Sequence, residues 1–485
     1  MMRLIKIGIV LLVIAASFGC ERDYMFRGGT DGIKFSSDTV MFDTIFTSIG
    51  SATRHFRVYN PYSADMTIDR VQLMGGDDSK FRINVDGRAE FELNDVELRS
   101  GDSLFVFVEV RIDPGVDANT PFVVTDSITF YTKERFQTVK LIAYGQDVVI
   151  LRDTILKTTR FTKDKPYLIY DKVEVDSLEK LTIEAGSRLH FYKDAFLNVR
   201  PGGTLEVMGT KEEPVLFAGS RLESWYADIP GQWGYIYLMP GSKNNSFNYA
   251  NIRNATIGLV LDSVGLDNDP VIISNTRIEH SSKQGLLAQS SSVLSWNSLF
   301  ADSGSASVAL MGGGNYNFFH CTIANYFNWK VRGVPAVVLS NFSEDKNGVK
   351  EPRDLQAANF KNCIIYGQAS DELGLYFYEG KVDSDSEEEQ VPPAENYKFD
   401  HVLLRSQLDD NILTDKKHFN DVIVNKSPFF MNYKNYDYSL DTLSVAQMAG
   451  SKSFAQEYPL DYEGNNRLLD GKQPDLGFLE RVEGQ

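Results

Sequence analysis

His320-Cys321 sets an imidazole beside a thiol, and Asn362-Cys363 repeats the thiol further along the chain. Such neighbours are the raw material of nucleophilic catalysis and of zinc ligation. Zinc takes four ligands, however, and only this pair and whatever lies against it in space are on offer. Cleaving a glycosidic bond needs two or three converging carboxylates. Asp409-Asp410 is the only tandem Asp among the C-terminal repeats described below. Eliminating across a uronate needs a base and a cation to offset the substrate carboxylate. Arg253 and Arg277 fall in one column of those repeats and are the candidate cations. Trp225-Tyr226, in the polar stretch from Arg221 to Gly231, and Trp329, in Phe327-Asn328-Trp329, are candidate sugar-stacking platforms. Asp267-Asn268-Asp269 and the run Asp383 to Glu389 are the places where Ca²⁺ would bind, although the second lacks a turn glycine and reads as a solvated loop.

Whether any of these groups converge depends on the elements beneath them. Asn251, Asn275, Asn297, His320, Asn362 and His401 each precede a small or branched residue, at steps of 24, 22, 23, 42 and 39. Large apolar residues stand two places earlier, as at Tyr249, Phe318, Phe360 and Phe399. A step near 23 with strand character and no helical unit predicts a parallel β-helix, whose equivalent residues stack in columns. The two long steps read as coils with insertions, because polar runs fill them. Asn and His are then ladder residues at a corner, hydrogen-bonded to the rungs on either side. On this reading His320 is scaffold, and Cys321 and Cys363 are buried thiols in the next column.

At 485 residues the chain is long enough for more than one domain. A formal charge of −17 excludes a nucleic-acid partner bound through phosphates. Short alternating segments cut by Gly, Asn and Asp predict an all-β protein. Residues 1–19 form a signal peptide: Arg3 and Lys6, then an apolar run from Ile7 to Ala16 that is too short to span a bilayer. Residues 20–32 form a tether, and 33–147 hold about seven short strands, the count of an immunoglobulin-like sandwich. Residues 148–180 connect it to the β-helix and begin it, and 181–480 complete the helix and its C-terminal cap.

Ser17-Phe18-Gly19-Cys20 resembles a bacterial lipobox, which implies acylation of Cys20 and anchorage in the outer membrane. Asp-Ser/Thr-aliphatic triplets such as Asp43-Thr44-Ile45 resemble the O-glycosylation signal of Bacteroidota, and equally the start of a strand. The segments "F-R-V-Y-N-P", "R-S-G-D-S-L-F-V-F-V-E-V" and "V-K-L-I-A-Y-G-Q-D" resemble bacterial relatives of the ASH and major-sperm-protein family, which implies a spacer or binding module. The repeats resemble right-handed parallel β-helix proteins of the pectate-lyase-like superfamily. Polygalacturonase-like signatures are absent, and no Gly-His-Gly follows Asp409-Asp410. The closing segment "D-Y-E-G-N-N-R-L-L-D-G-K-Q-P-D-L-G-F-L-E" is similar to the end of many secreted β-helix proteins; a cap over the open edge is expected there, with Arg467 paired to Asp475 or Glu480. The leading expectation is a lipid-anchored protein that binds glycan or an outer-membrane protein without cofactor or catalysis. A polysaccharide lyase or glycoside hydrolase with a divergent site, and a structural subunit of an outer-membrane assembly, are the alternatives.

Overall fold

The computed structural model describes residues 32–46, 51–112, 122–133, 135–265, 269–344, 346–379 and 392–482. Cys20, most of the tether, Asp267, Asn268 and the acidic run Asp383 to Glu389 lie outside the described residues. The chain divides into two compact units between Asp147 and Val148.

The first unit is a β-sandwich. One sheet runs Lys34–Phe35, Arg54–Tyr59, Ser103–Val110, Phe81–Val85; the other runs Thr39–Phe46, Arg135–Gln146, Phe122–Thr132, Met66–Leu73, Glu92–Leu98. Strand alternation does the sorting. Leu104, Val106, Val108 and Val110 point inward, while Phe105, Phe107 and Glu109 face out. The inward faces meet in a single cluster that includes Phe56, Phe81, Val106, Ile68, Val71, Phe130 and Leu141.

The second unit is a parallel β-helix of 24 strands. It begins at the start of the stretch 148–180 that the sequence assigns to the connection and the first part of the helix. Val149–Leu156 already pairs in parallel with Tyr167–Val175, so the expected connection forms the first rungs. Val149–Leu156 is largely exposed although Val149, Ile150, Leu151, Ile155 and Leu156 are apolar, because an end rung has no neighbour covering it. Further on, Phe318, Phe360, Phe399 and Phe419 stack with centroids 5.0, 5.1 and 5.3 Å apart and planes within 8° of parallel. That spacing is the rung rise repeated by side chains.

The corner file is real, with one correction. Asn275, Asn297, His320, Asn362 and His401 follow strand pairs in register and all have left-handed φ, between 46° and 54°. Asn251 is not in the file. It sits on a strand opposite Arg277, and Tyr249, with φ of 47°, holds the corner instead. Phe247, not Tyr249, is the inward residue that stacks under the next rung. In this rung the corner position is filled by Tyr249, so the apolar-x-Asn triplet Tyr249-Ala250-Asn251 points two residues too far along. Both long steps are single rungs with insertions, since Phe319 pairs directly with Lys361 and Lys361 with Asp400. Phe342–Glu344 and Lys350–Pro352 form a hairpin within the first insertion.

The C-terminal segment does not cap the open end. Leu408, Leu413 and Val422 pack there instead. The tail folds back along one flank, where Phe430, Tyr438, Leu440, Leu476 and Phe478 cover Leu299, Ala301, Ala324, Ile364 and Leu403. Those five face outward from rungs whose inward residues are equally apolar, so this sheet is buried on both faces and needs a cover. Gly477, at φ of 94°, lets the tail close in: a Cβ there would lie 2.5 Å from the Thr322 hydroxyl.

Candidate functional site

The corner file is a structural site. Asn275 Nδ2 donates to Asn248 Oδ1 at 3.0 Å, and Asn297 Nδ2 to Asn275 Oδ1 at 3.1 Å. Asn362 Nδ2 lies 3.3 Å from His320 Nε2. The tail locks on to the same file. Arg467 donates to Asn297 Oδ1 at 2.9 Å and to Glu480 at 2.6 Å, so of the two expected partners Glu480 takes the pair. Ser451 N–H donates to Asn362 Oδ1 at 2.7 Å. His320 is fully buried, and burial together with the Arg467 charge holds its pKa well below the usual imidazole value. It is neutral and has no route to a substrate. Cys321 and Cys363 sit inside the next column, both fully buried. His401 accepts or donates at 2.8 Å with Asp400, and Asp400, His401 and Asp421 bring three possible metal donors within 4.8 Å of one another. Lys398 and Asn420 already engage Asp400 at 3.0 and 2.9 Å.

The two arginines do not share a column. Arg253 lies opposite Glu279, and Arg277 lies opposite Asn251, the same two-residue displacement as at the corner. Arg277 is paired twice with Glu279, at 2.8 and 3.0 Å, and Arg253 donates to Asp228 at 2.8 Å. Neither is a free cation for a uronate.

A second left-handed file went unread in the sequence: Asn254, His280 and Asp302, with φ of 66°, 55° and 49°. Each directly follows a strand that ends on the same face, which is the signal that marks the file. Asp302 is buried, and burial pushes its carboxyl up to about 7, while Tyr438 O–H and Tyr326 N–H donate to it at 2.5 and 3.1 Å. Burial opposes the charge on Glu279 too, but the Arg277 guanidinium holds that carboxyl below its usual value. Two carboxyls whose pKa values are pushed in opposite directions, beside His280, are acid–base material. Here Tyr438 of the tail covers them, and Tyr436 lies against His280 with ring centroids 4.3 Å apart. As it stands, the cluster holds the tail.

The aromatic candidates are different, because solvent reaches them. Strands Val215–Gly219, Ala250–Arg253, Arg277–Glu279, Leu299–Ala301 and Thr322–Asn325 stack in turn, and their following loops line one edge of the helix. Trp225 leaves this edge from the first of these rungs and Trp329 from the last; they are 46% and 53% exposed. Four rungs at about 4.8 Å place their loops roughly 20 Å apart along the axis. Both loops are anchored. Gln232 Nε2 donates to the Tyr226 and Ile229 carbonyls at 2.6 and 2.9 Å, and Arg221 covers the Tyr226 ring at 4.3 Å. In the Trp329 loop, Arg332 donates to both oxygens of buried Glu372, at 2.5 and 2.8 Å. Lys330 reaches across to the Ser282 carbonyl at 3.3 Å. The same loop lines an open pocket of about 520 Å³ through Phe327, Asn328, Lys330, Val331 and Arg332, together with Gln368, and the Trp329 indole is not part of its wall. Trp233, by contrast, is core: it stacks on Phe191 at 4.1 Å and donates to the Arg253 carbonyl.

No protein-family model matches the chain, and no curated protein does. Among solved structures, one that overlaps it is described as a family 123 glycoside hydrolase from Clostridium perfringens, analysed for glycolipid glycan hydrolysis. The overlap is 8% identical, covers 26% of this chain and 30% of that one, and has a TM-score of 0.19. The chain therefore spans under a third of that protein's length, a likeness that carries no inference about fold or activity.

Proposed function

We propose that this chain is an envelope protein, tethered through lipid on Cys20, whose β-helix binds a glycan along the loop edge between Trp225 and Trp329 and does not cleave it. The observation that carries the reading is the pair of exposed indoles on anchored loops of a single edge, four rungs apart. Indole faces stack on sugar rings, and rigid presentation lowers the entropy cost of binding. Polar groups between them, such as Lys283 and Ser282, provide the hydrogen bonds that orient a sugar. The test is a glycan array probed with the mature protein, followed by calorimetric titration of the best ligand. Trp225→Ala and Trp329→Ala are each expected to weaken binding about 10-fold or more. Unchanged affinity in both variants removes this edge from the account. Growth with and without an inhibitor of lipoprotein processing tests the tether: membrane association depends on Cys20.

The second reading, a glycosidase, rests on Asp302 and Glu279, whose environments push one carboxyl up to about 7 and hold the other below its usual value. It requires the tail to lift away. Release of reducing ends from the bound glycan by the wild type but not by Asp302→Asn is the result that favours it over simple binding.

A further inference from the structure

Cys321 and Cys363 belong to a column of side chains just inside the corner: Ala250, Thr276, Ser298, Cys321, Cys363 and Val402. In this column the backbone N–H of one rung donates to the side chain of the next. Ala250 N donates to Thr276 Oγ1 and Thr276 N to Ser298 Oγ, both at 3.2 Å. Cys321 N donates to Cys363 Sγ at 3.4 Å, so the two cysteines are direct neighbours in the stack. Flanking pairs fix this register, with Phe319 opposite Lys361 and Thr322 opposite Ile364. Adjacent parallel rungs lie about 4.8 Å apart, inside the Cα separation of roughly 4.4–6.8 Å that a disulfide spans. Both side chains point the same way, into the core.

We propose that Cys321 and Cys363 form an intramolecular disulfide that staples these two rungs in the mature protein. The chain has three cysteines, and if Cys20 carries lipid, as the export proposed above requires, these two are its remaining thiols. Their burial dates the reaction: both sulfurs are fully enclosed, so exchange takes place before the two rungs close. An oxidising disulfide, such as glutathione disulfide or an oxidised dithiol protein, accepts the two electrons. One cysteine thiolate attacks it to form a mixed disulfide, and the second cysteine displaces the carrier as a thiol. The two cysteine S–H bonds and the carrier S–S bond are broken; one protein S–S bond and two carrier thiols are formed. The bond closes a segment of 42 residues that contains the Trp329 loop and the hairpin Phe342–Glu344/Lys350–Pro352. It thus ties down the insertion carrying half of the proposed binding edge.

The test is refolding of the reduced full-length protein in a glutathione redox buffer, followed by thiol blocking, digestion without reductant and mass spectrometry. The expected result is a linked pair of Cys321 and Cys363 peptides in product that has regained protease resistance. Protease-resistant product with both cysteines blocked or glutathionylated overturns the proposal, as does a linked product that stays protease-sensitive. Where refolding fails, the same peptides are read from protein taken from membranes with its thiols blocked before unfolding; two blocked thiols there overturn it as well. The acyl group on Cys20 in that sample reports on export separately. Cys363→Ser keeps the acceptor for Cys321 N–H and is expected to fold with Cys321 as its one blockable thiol apart from any Cys20 that carries no lipid.

Discussion

A corner at positive φ selects for a side chain that tolerates the left-handed region and bonds to the rungs beside it, which is why Asn dominates and His substitutes. His320→Asn is therefore expected to cost no more than about 1 kcal/mol, whereas His320→Ala loses both the hydrogen bond and the tolerance, about 2–3 kcal/mol. Urea unfolding of the three proteins checks this; equal loss in both variants denies the ladder role. Asn297 matters more, because it serves three partners: Asn275, the Leu460 carbonyl and Arg467. Asn297→Ala leaves a buried guanidinium short of an acceptor and is expected to cost about 3 kcal/mol by the same measurement. The corner was legible in the sequence because Asn and His recur there at a nearly constant step. Asn251 is misplaced in the sequence reading because this rung puts Tyr249 at its corner, between Asn248 and Asn251, and only strand pairing shows it. The second file of Asn254, His280 and Asp302 mixes three residue types, so no repeat stood out.

At the scale of elements, the tail is the part that sequence reading put in the wrong place. Its residues announce a closing segment, but where it lies depends on the outward apolar row of Leu299, Ala301, Ala324, Ile364 and Leu403. Two of the links that fasten it are testable by single substitutions. Arg467, buried and paired with Glu480, is the first; Arg467→Ala strands the Glu480 carboxylate and is expected to cost about 3–5 kcal/mol, seen as early proteolysis between residues 440 and 482. Asp302 beneath Tyr438 is the second, and it carries a pH dependence. Its carboxyl is raised from 3.8 to about 7, so the folded state holds the proton more tightly than the unfolded chain. The stability from this group is complete below about pH 4 and is lost as pH rises through about 7. Other buried groups titrate as well, so the informative quantity is the difference in unfolding free energy between wild type and Asp302→Asn. That difference is expected to fall from pH 4 to pH 7 and to stay level above it; a constant difference rejects the protonated Asp302.

For the molecule as a whole, stacking explains why chemically suggestive residues are mostly scaffold. His320, Cys321, Arg253 and Arg277 are each taken up by neighbouring rungs or loops, and what remains open to solvent is the loop edge. The fold class was legible because periodicity survives insertion: steps of 42 and 39 still resolve into single rungs once strands pair. That Trp225 and Trp329 emerge from one edge was not legible, since it depends on which strand each loop follows. The edge is the central claim, and gel mobility in the presence of the best-binding polysaccharide tests it most directly. Wild-type protein is predicted to be retarded, with the polymer left at full length, and Trp225→Ala/Trp329→Ala to run free. Equal retardation of both proteins, or shortening of the polymer by the wild type, contradicts the account.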